Sequence, residues 1–243
     1  MVYQSWPIGK LPKGWQRPEP NLIKEKGYQW EDPRDIIGIF ENKLADYAGS
    51  KFAVLTDCCS NALFLALQFR FFTKELSLGQ KIEIPCKTYA SVPMQIIHSG
   101  LEPIFRDIAW TGVYELKNAN IFDSAARFTE GMYTQDDSLH VLSFQIKKRL
   151  PIGKGGAILT NSPIAYNWLK LASYDGRDLS SEYNSTNHIQ MLGWHYYMTP
   201  EDAARGILIM DQLPRTNPDS MSFENYTDLS RLPVFLKYKE KVI

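Results

Sequence analysis

The stretch KFAVLTDCCSNALFLALQFRFF, Lys51 to Phe72, decides the fold. KFAVLT is a short β-rich run, DCCSN is polar, and SNALFLALQFRFF has the length and apolar content of a helix. The same alternation continues outward. Lys81–Pro85 reads as a buried strand, and YASVPMQIIHSG as a helix ending at Gly100. Pro103–Ile108, Asn120–Asp123, His140–Phe144 and Gly156–Thr160 are further strand candidates, the last followed by the helix PIAYNWLKLASYDG. On the amino-terminal side, EDPRD signals a helix start, with Asp32 as cap, Pro33 at the first helical position and Asp35 at the positive helix end. Ile36, Ile37, Phe40 and Leu44 recur there at helical spacing, and Gly49 ends the element. A later helix is announced by Thr199-Pro200-Glu201-Asp202 and runs through AARGILIMDQL. Strands alternating with helices of these lengths predict an α/β protein with a mostly parallel sheet.

The ends of the chain read differently. Residues 1–30 are rich in Pro, Gly and Trp and read as an irregular arm. Beyond Leu213 the chain turns polar and proline-containing, which predicts a surface segment, and FLKYKEKVI reads as a strand or a frayed tail.

The 243 residues suffice for one large or two small domains with a sizeable core. The 27 basic and 27 acidic side chains cancel, so no charge excess drives binding to nucleic acid or to an anionic membrane. Three cysteines, two of them adjacent (Cys58, Cys59, Cys86), make a poor disulfide framework and fit a reducing compartment. The four histidines show no metal-ligand spacing. No stretch approaches the roughly 20 apolar residues of a membrane span, and the first residues lack a signal-peptide core. These features predict a cytoplasmic protein.

Ligands in open α/β sheets bind beyond the carboxyl ends of the strands. Four polar clusters fall there: DCCSN, KTY, DSAAR, and the stretch LSFQIKKRLPIGKGG, Leu142–Gly156. The last lacks the GxxxxGK[ST] pattern of a phosphate loop but offers two adjacent lysines, Lys147 and Lys148. A lysine at a strand end near a buried aspartate suggests Schiff-base chemistry. Pyridoxal phosphate needs a lysine for its aldehyde, an acid for its pyridine nitrogen, a planar group against its ring and donors for its phosphate. Asp123 can supply the acid, Tyr89 the planar group, and the Cys59-Ser60-Asn61 helix entry the donors. Taken singly, Asp123 reads equally as a cap or turn residue, Tyr89 as core packing and Cys59-Ser60-Asn61 as a simple helix start.

In order, these segments resemble the DegT-type aminotransferases, pyridoxal-phosphate enzymes acting mainly on nucleotide-linked keto sugars. The resemblance is carried by FENKLADYAGSKFAVLTDCCSNALFLAL, IPCKTYASVPMQIIHSGLEPIFRDI, NIFDSAARF, LSFQIKKRLPIGKGGAILTN, SYDGRD and LGWHYYMTPEDAARG, about residues 36–213. It implies fold type I: a three-layer α/β/α large domain on a mixed, mostly parallel sheet, here residues 31–215. Residues 1–30 would be the arm and 216–243 a truncated remainder of a reduced small domain. By position, Lys148 takes the Schiff-base role, Asp123 the pyridine nitrogen and Tyr89 the ring stack. Cys59, Ser60 and Ser143 fall at the phosphate. His195 falls where the family reaches the neighbouring subunit's phosphate, implying a homodimer with shared sites. Lys147 and Arg149 become flanking charges facing the substrate's phosphates.

Cys59 stands in place of a glycine, Ala126 of a Gln or His, Gln145 of a His, Lys154 of a glutamate and Tyr197 of an arginine. The implied reaction moves an amino group from glutamate or glutamine to a keto sugar linked to a nucleotide. The alternatives are a sugar dehydratase, which characteristically carries histidine where Lys148 stands, and a non-catalytic cofactor-binding, regulatory or partner-subunit protein.

Overall fold

A computed structural model describes residues 15–134, 137–178 and 188–238. Its elements follow the expected alternation. They are α1 (Glu19–Glu25), α2 (Asp35–Ala48), β1 (Phe52–Thr56), α3 (Cys59–Phe72), β2 (Lys81–Pro85), α4 (Ser91–His98), β3 (Glu102–Arg106), β4 (Tyr114–Leu116), β5 (Ile121–Asp123), β6 (Leu139–Ser143), β7 (Gly156–Thr160), α5 (Pro163–Ser173) and α6 (Pro200–Met210). Three short 3-10 turns, Phe223–Asn225, Leu229–Arg231 and Pro233–Tyr238, complete the described chain.

The predicted cap of α6 is present: the Thr199 hydroxyl accepts from the Asp202 N–H, with Pro200 at the first position. At α2 the cap differs from expectation. The helix begins at Asp35, and Asp32 belongs to the preceding turn, where its carboxylate accepts from the Arg34 N–H and guanidinium. The Asp35 carboxylate reaches back to the N–H groups of Glu31 and Asp32, so the acidic residue one turn later organises the entry. Gly49 ends α2 in the left-handed region, as expected.

Five strands form one sheet in the order β1-β7-β6-β5-β4, and β2 pairs with β3 separately. The mixed α/β sheet is as expected, but its pairings are not mostly parallel. β2–β3 and β5–β6 are parallel, whereas β1–β7, β6–β7 and β4–β5 are antiparallel. The reason is local. No crossover helix joins β6 to β7 or β4 to β5, so each strand returns beside its predecessor in the opposite sense. Asn118 and Asn120, both with positive φ, make the β4–β5 return tight.

Both sheet faces are buried, and side chains alternate between them. Val54, Val141 and Ile158 point into a core with α3, α4 and α5. Ala53, Leu55, Leu142, Ala157 and Leu159 point into a second core with α2 and α6. Fully buried Phe40, Leu44 and Leu65 contribute about 1.5–3 kcal/mol each to this three-layer packing.

Two expectations about the chain's ends are corrected. The described part of the arm is not irregular: α1 buries Ile23, and ion pairs Arg17–Asp202 and Glu19–Arg205 fasten it to α6. Its first fourteen residues lie outside the described ones. The segment after Leu213 is not merely a surface run. Gly112 N–H donates to Met221 O, Phe223 N–H to Trp110 O, Ser220 N–H to Ala126 O and Leu229 N–H to Cys86 O. Phe235 is 1% exposed and packs on Phe105, with ring centroids 5.6 Å apart. At Gly112, φ is +73° and a Cβ would lie 2.1 Å from the Asp219 carboxylate carbon, so only glycine admits the returning chain there. The end of FLKYKEKVI beyond residue 238 lies outside the described residues.

Candidate active site

β1 and β6 are each antiparallel to β7, and β5 is parallel to β6. β1, β5 and β6 therefore run the same way, and their carboxyl ends reach one sheet edge. From these ends the chain continues into Cys58-Cys59, Ala125-Ala126 and the loop holding Lys148. The residues after β2, Thr88 and Tyr89, reach the same place. Together they line a cavity of about 510 Å³.

Six of the seven predicted site residues line this cavity: Cys59, Ser60, Tyr89, Asp123, Ser143 and Lys148. Lys147, Gln145, Lys154 and Ala126 line it as well. His195 is not among its lining residues. Its side chain is 67% exposed, donates from Nδ1 to the Asp175 carboxylate at 2.8 Å, and meets the Tyr197 ring edge-on. Arg149 also departs from expectation. Its guanidinium donates to the carbonyls of Pro218 and Asp219, which uses its charge to hold the carboxyl-terminal segment instead of facing the cavity.

The cavity floor is polar and buried. Asp123, at the end of β5, is 7% exposed. Its Oδ1 accepts from the Ala125 N–H at 2.9 Å and its Oδ2 from the Tyr114 hydroxyl at 2.6 Å. Burial pushes the Asp123 carboxyl up from its ordinary value, against the pull of these donors and of the Lys148 charge. Burial lowers the Lys148 ammonium, opposed by the charge of Asp123. The lysine is thereby brought closer to the free amine that a carbonyl group requires. Its Nζ lies 3.5 Å from Met221 Sδ.

One wall is the amino end of α3. Cys58 occupies the cap position, and Cys58, Cys59 and Ser60 line the cavity, so the first turn of the helix borders it. The Ser60 hydroxyl meets the Ser91 hydroxyl at 2.7 Å, bringing the start of α4 to the same corner. Burial, then the Asp123 charge, pushes the Cys59 thiol well up, so it stays a thiol. All three cysteines are unbridged. After the lysine the chain turns at Gly153 and Gly155, both with positive φ, and Gly156 lies against the backbone of Cys58 and Cys59.

Several lining residues were not legible beforehand. Thr88 and Ser91 stand in the predicted segment but carried no signal of their own. Tyr114 contacts Asp123 from β4, a three-residue strand too short for periodicity to reveal. Met221, Asn225 and Tyr226 come from the segment read as surface. Burial pushes the Tyr226 phenol up to about 12, and it donates to Met221 Sδ.

This architecture is a fold-type-I α/β arrangement, with an amine, an acid and helix amino ends converging beyond the strand ends. The chain belongs to the DegT/DnrJ/EryC1/StrS aminotransferase family, whose profile matches residues 26–132 and 123–226. Over 84 residues it is 34% identical to the spore coat polysaccharide biosynthesis protein SpsC of Bacillus subtilis, covering 35% of this chain and 20% of that protein. The fold is similar to that of a Bacillus cereus protein described as a PLP-dependent aminotransferase, with a TM-score of 0.62 and 21% identity over 80% of this chain and 62% of the other. It is similar too to the E. coli GDP-4-keto-6-deoxy-D-mannose-3-dehydratase with bound hydrated PLP, with a TM-score of 0.63 and 16% identity over 84% and 67% of the two chains. The chain thus spans less than two thirds of the Bacillus cereus protein and a fifth of SpsC.

Pyridoxal phosphate is the family's cofactor, and the residues present fit it. A buried carboxylate with one donor on each oxygen keeps lone pairs for a ring nitrogen. A half-buried amine lines the same cavity, as do the first turn of α3 and Ser143, groups of the kind that can donate to a phosphate. None of the described helices is long and apolar enough to cross a membrane.

Proposed function

We propose that this chain is a pyridoxal-phosphate aminotransferase that moves an amino group from glutamate or glutamine to a nucleotide-linked keto sugar. The observation that carries this reading is the convergence of Lys148 and Asp123 in one buried cavity, with burial lowering the lysine ammonium. When bound, the cofactor supplies a carbonyl for amines and a ring that withdraws electrons. Asp123 would hold the proton at the ring nitrogen, and the α3 amino end with Ser60 and Ser143 would hold the phosphate. Tyr89, 60% exposed at the cavity mouth, would cover one ring face. Lys148 Nζ would take a proton from the substrate carbon and return it to the cofactor carbon.

His195 would serve the partner subunit's phosphate in a homodimer; its position outside its own chain's cavity is compatible with that role. Residues 31–215 would form the cofactor-binding large domain. Lys147 would face the substrate's phosphates from the rim.

A dehydratase is the second reading, since one solved neighbour is described as such. Lysine at position 148 instead of histidine favours amino transfer. The test is spectroscopic. Protein with pyridoxal phosphate should show a visible band that Lys148→Ala abolishes. Glutamate should bleach that band and release 2-oxoglutarate. A band that glutamate and glutamine both leave untouched would refute the aminotransferase reading.

A further inference from the structure

Tyr114 sits directly opposite Asp123 in the antiparallel β4–β5 ladder, a register that puts both side chains on the same face. Tyr114, Asp123 and Thr88 are 7%, 7% and 2% exposed, so water does not compete for their hydrogen bonds. The Tyr114 hydroxyl lies 2.6 Å from Asp123 Oδ2 and also against Thr88 Oγ1. A phenol has one proton to give, and an ionised carboxylate can only accept. The order is therefore fixed: Thr88 donates to Tyr114, and Tyr114 donates to Asp123. Each bond in such a chain polarises the next. Trp110 packs on the Tyr114 ring at 4.9 Å and itself donates to Lys87 O, which leaves the phenol little freedom to turn away.

We propose that Tyr114, relayed by Thr88, is a positioning residue that keeps Asp123 ionised and oriented, so that a proton at the cofactor's ring nitrogen stays on nitrogen. This inference rests on the pyridoxal-phosphate reading of the cavity. Without the phenol, the buried carboxylate would become more basic and would compete for that proton. The other groups facing Asp123 are the Ala125 N–H, Lys148, the Cys59 thiol from α3 and Tyr226 from the carboxyl-terminal segment. Of these side chains, Lys148 alone is a cation, and burial lowers its ammonium. Tyr114 is itself pushed well above its ordinary value by burial and by the Asp123 charge, so it keeps the proton it donates.

The experiment compares two cofactors on full-length wild type, Tyr114→Phe and Thr88→Val: pyridoxal phosphate, and its deaza analogue with carbon in place of the ring nitrogen. Affinity is read from fluorescence quenching, and thermal melts of the cofactor-free proteins confirm folding. Tyr114→Phe should bind pyridoxal phosphate about tenfold more weakly, the order of one lost charge-assisted hydrogen bond, and bind the analogue as wild type does. Thr88→Val should shift affinity in the same direction by less. Equal losses for both cofactors would mean a merely structural role and would overturn the proposal, as would no loss. If wild type binds neither compound, the pyridoxal reading fails, and carbon-13 titration of Asp123 in cofactor-free protein decides Tyr114's part. A midpoint higher in Tyr114→Phe upholds it; an unchanged midpoint refutes it.

Discussion

Replacing Gly156 by alanine should loosen the join between the sheet and α3, whose first turn lines the cavity. Gly156 begins β7 and is paired on one side with Thr56 and on the other with Ser143, so its backbone cannot slide within the sheet. A Cβ at this position would lie 2.5 Å from Cys59 N, 2.7 Å from Cys58 C and 2.8 Å from Cys59 Cα. All three are backbone atoms, so no flexible side chain can swing aside. Ordinary contact begins at 3.4 Å, and the amino end of α3 must therefore retreat by about 0.9 Å. Overpacking of this kind costs about 1–3 kcal/mol. For a chain of this size, about 2 kcal/mol lowers Tm by roughly 4–8 °C. The retreat also draws the α3 N–H groups away from a bound phosphate. Losing one charge-assisted hydrogen bond weakens cofactor binding about tenfold or more. Melting of cofactor-free protein separates the packing cost from the binding cost, which is read by pyridoxal phosphate titration. Unchanged Tm together with unchanged affinity would refute the argument that this glycine is fixed by close approach.

Two further consequences concern stability and the carboxyl-terminal segment. His140 is buried, stacks on Phe122 and bonds to Ser124, and burial, then the Arg127 charge, lowers its pKa from 6.5 to about 4. The unfolded chain therefore binds one more proton than the folded one between those values. This contribution is intact above pH 6.5 and is lost as pH falls toward about 4, to a total of about 3 kcal/mol. Urea unfolding across that range should show a slope that His140→Phe flattens; an identical slope in both proteins would contradict it. Arg149 holds the Pro218 and Asp219 carbonyls, while Arg127 grips the Asp219 carboxylate at 2.9 and 2.7 Å. Arg149→Ala combined with Asp219→Ala should speed proteolysis between residues 214 and 226 several-fold without lowering the Tm of the core, since native-state cleavage follows local opening. Equal cleavage rates would show that Met221, Phe223 and Tyr226 hold the segment unaided.

How much was legible can be followed through particular residues. The alternation of KFAVLT, IEIP, IFD and HVLSF with helical stretches placed each longer element, because buried strands and amphipathic helices leave their period in the chain. Thr199-Pro200 marked its helix, since a cap acts within four residues. β4 is not legible because its three residues, Tyr114-Glu115-Leu116, are broken by a charge, whereas the equally short IFD stands out by its adjacent apolar pair. Asp32 was mistaken for a cap because the sequence offers two aspartates and only backbone geometry chooses between them.

The sequence by itself determined the α/β architecture, the family and the order in which Cys59, Tyr89, Asp123, Ser143 and Lys148 arrive, because these depend on local pattern and on motif. Tertiary structure alone decided that β7 and β4 run against their neighbours, that Tyr114 faces Asp123 across a ladder, and that Met221 and Tyr226 return to the cavity. Strand sense, register and the path of a polar segment arise from contacts between residues far apart in the chain. Lys148 shows the division: its position is readable from the motif, whereas its half-buried setting beside Asp123 and Met221 exists only once β5, β6 and the carboxyl-terminal segment meet.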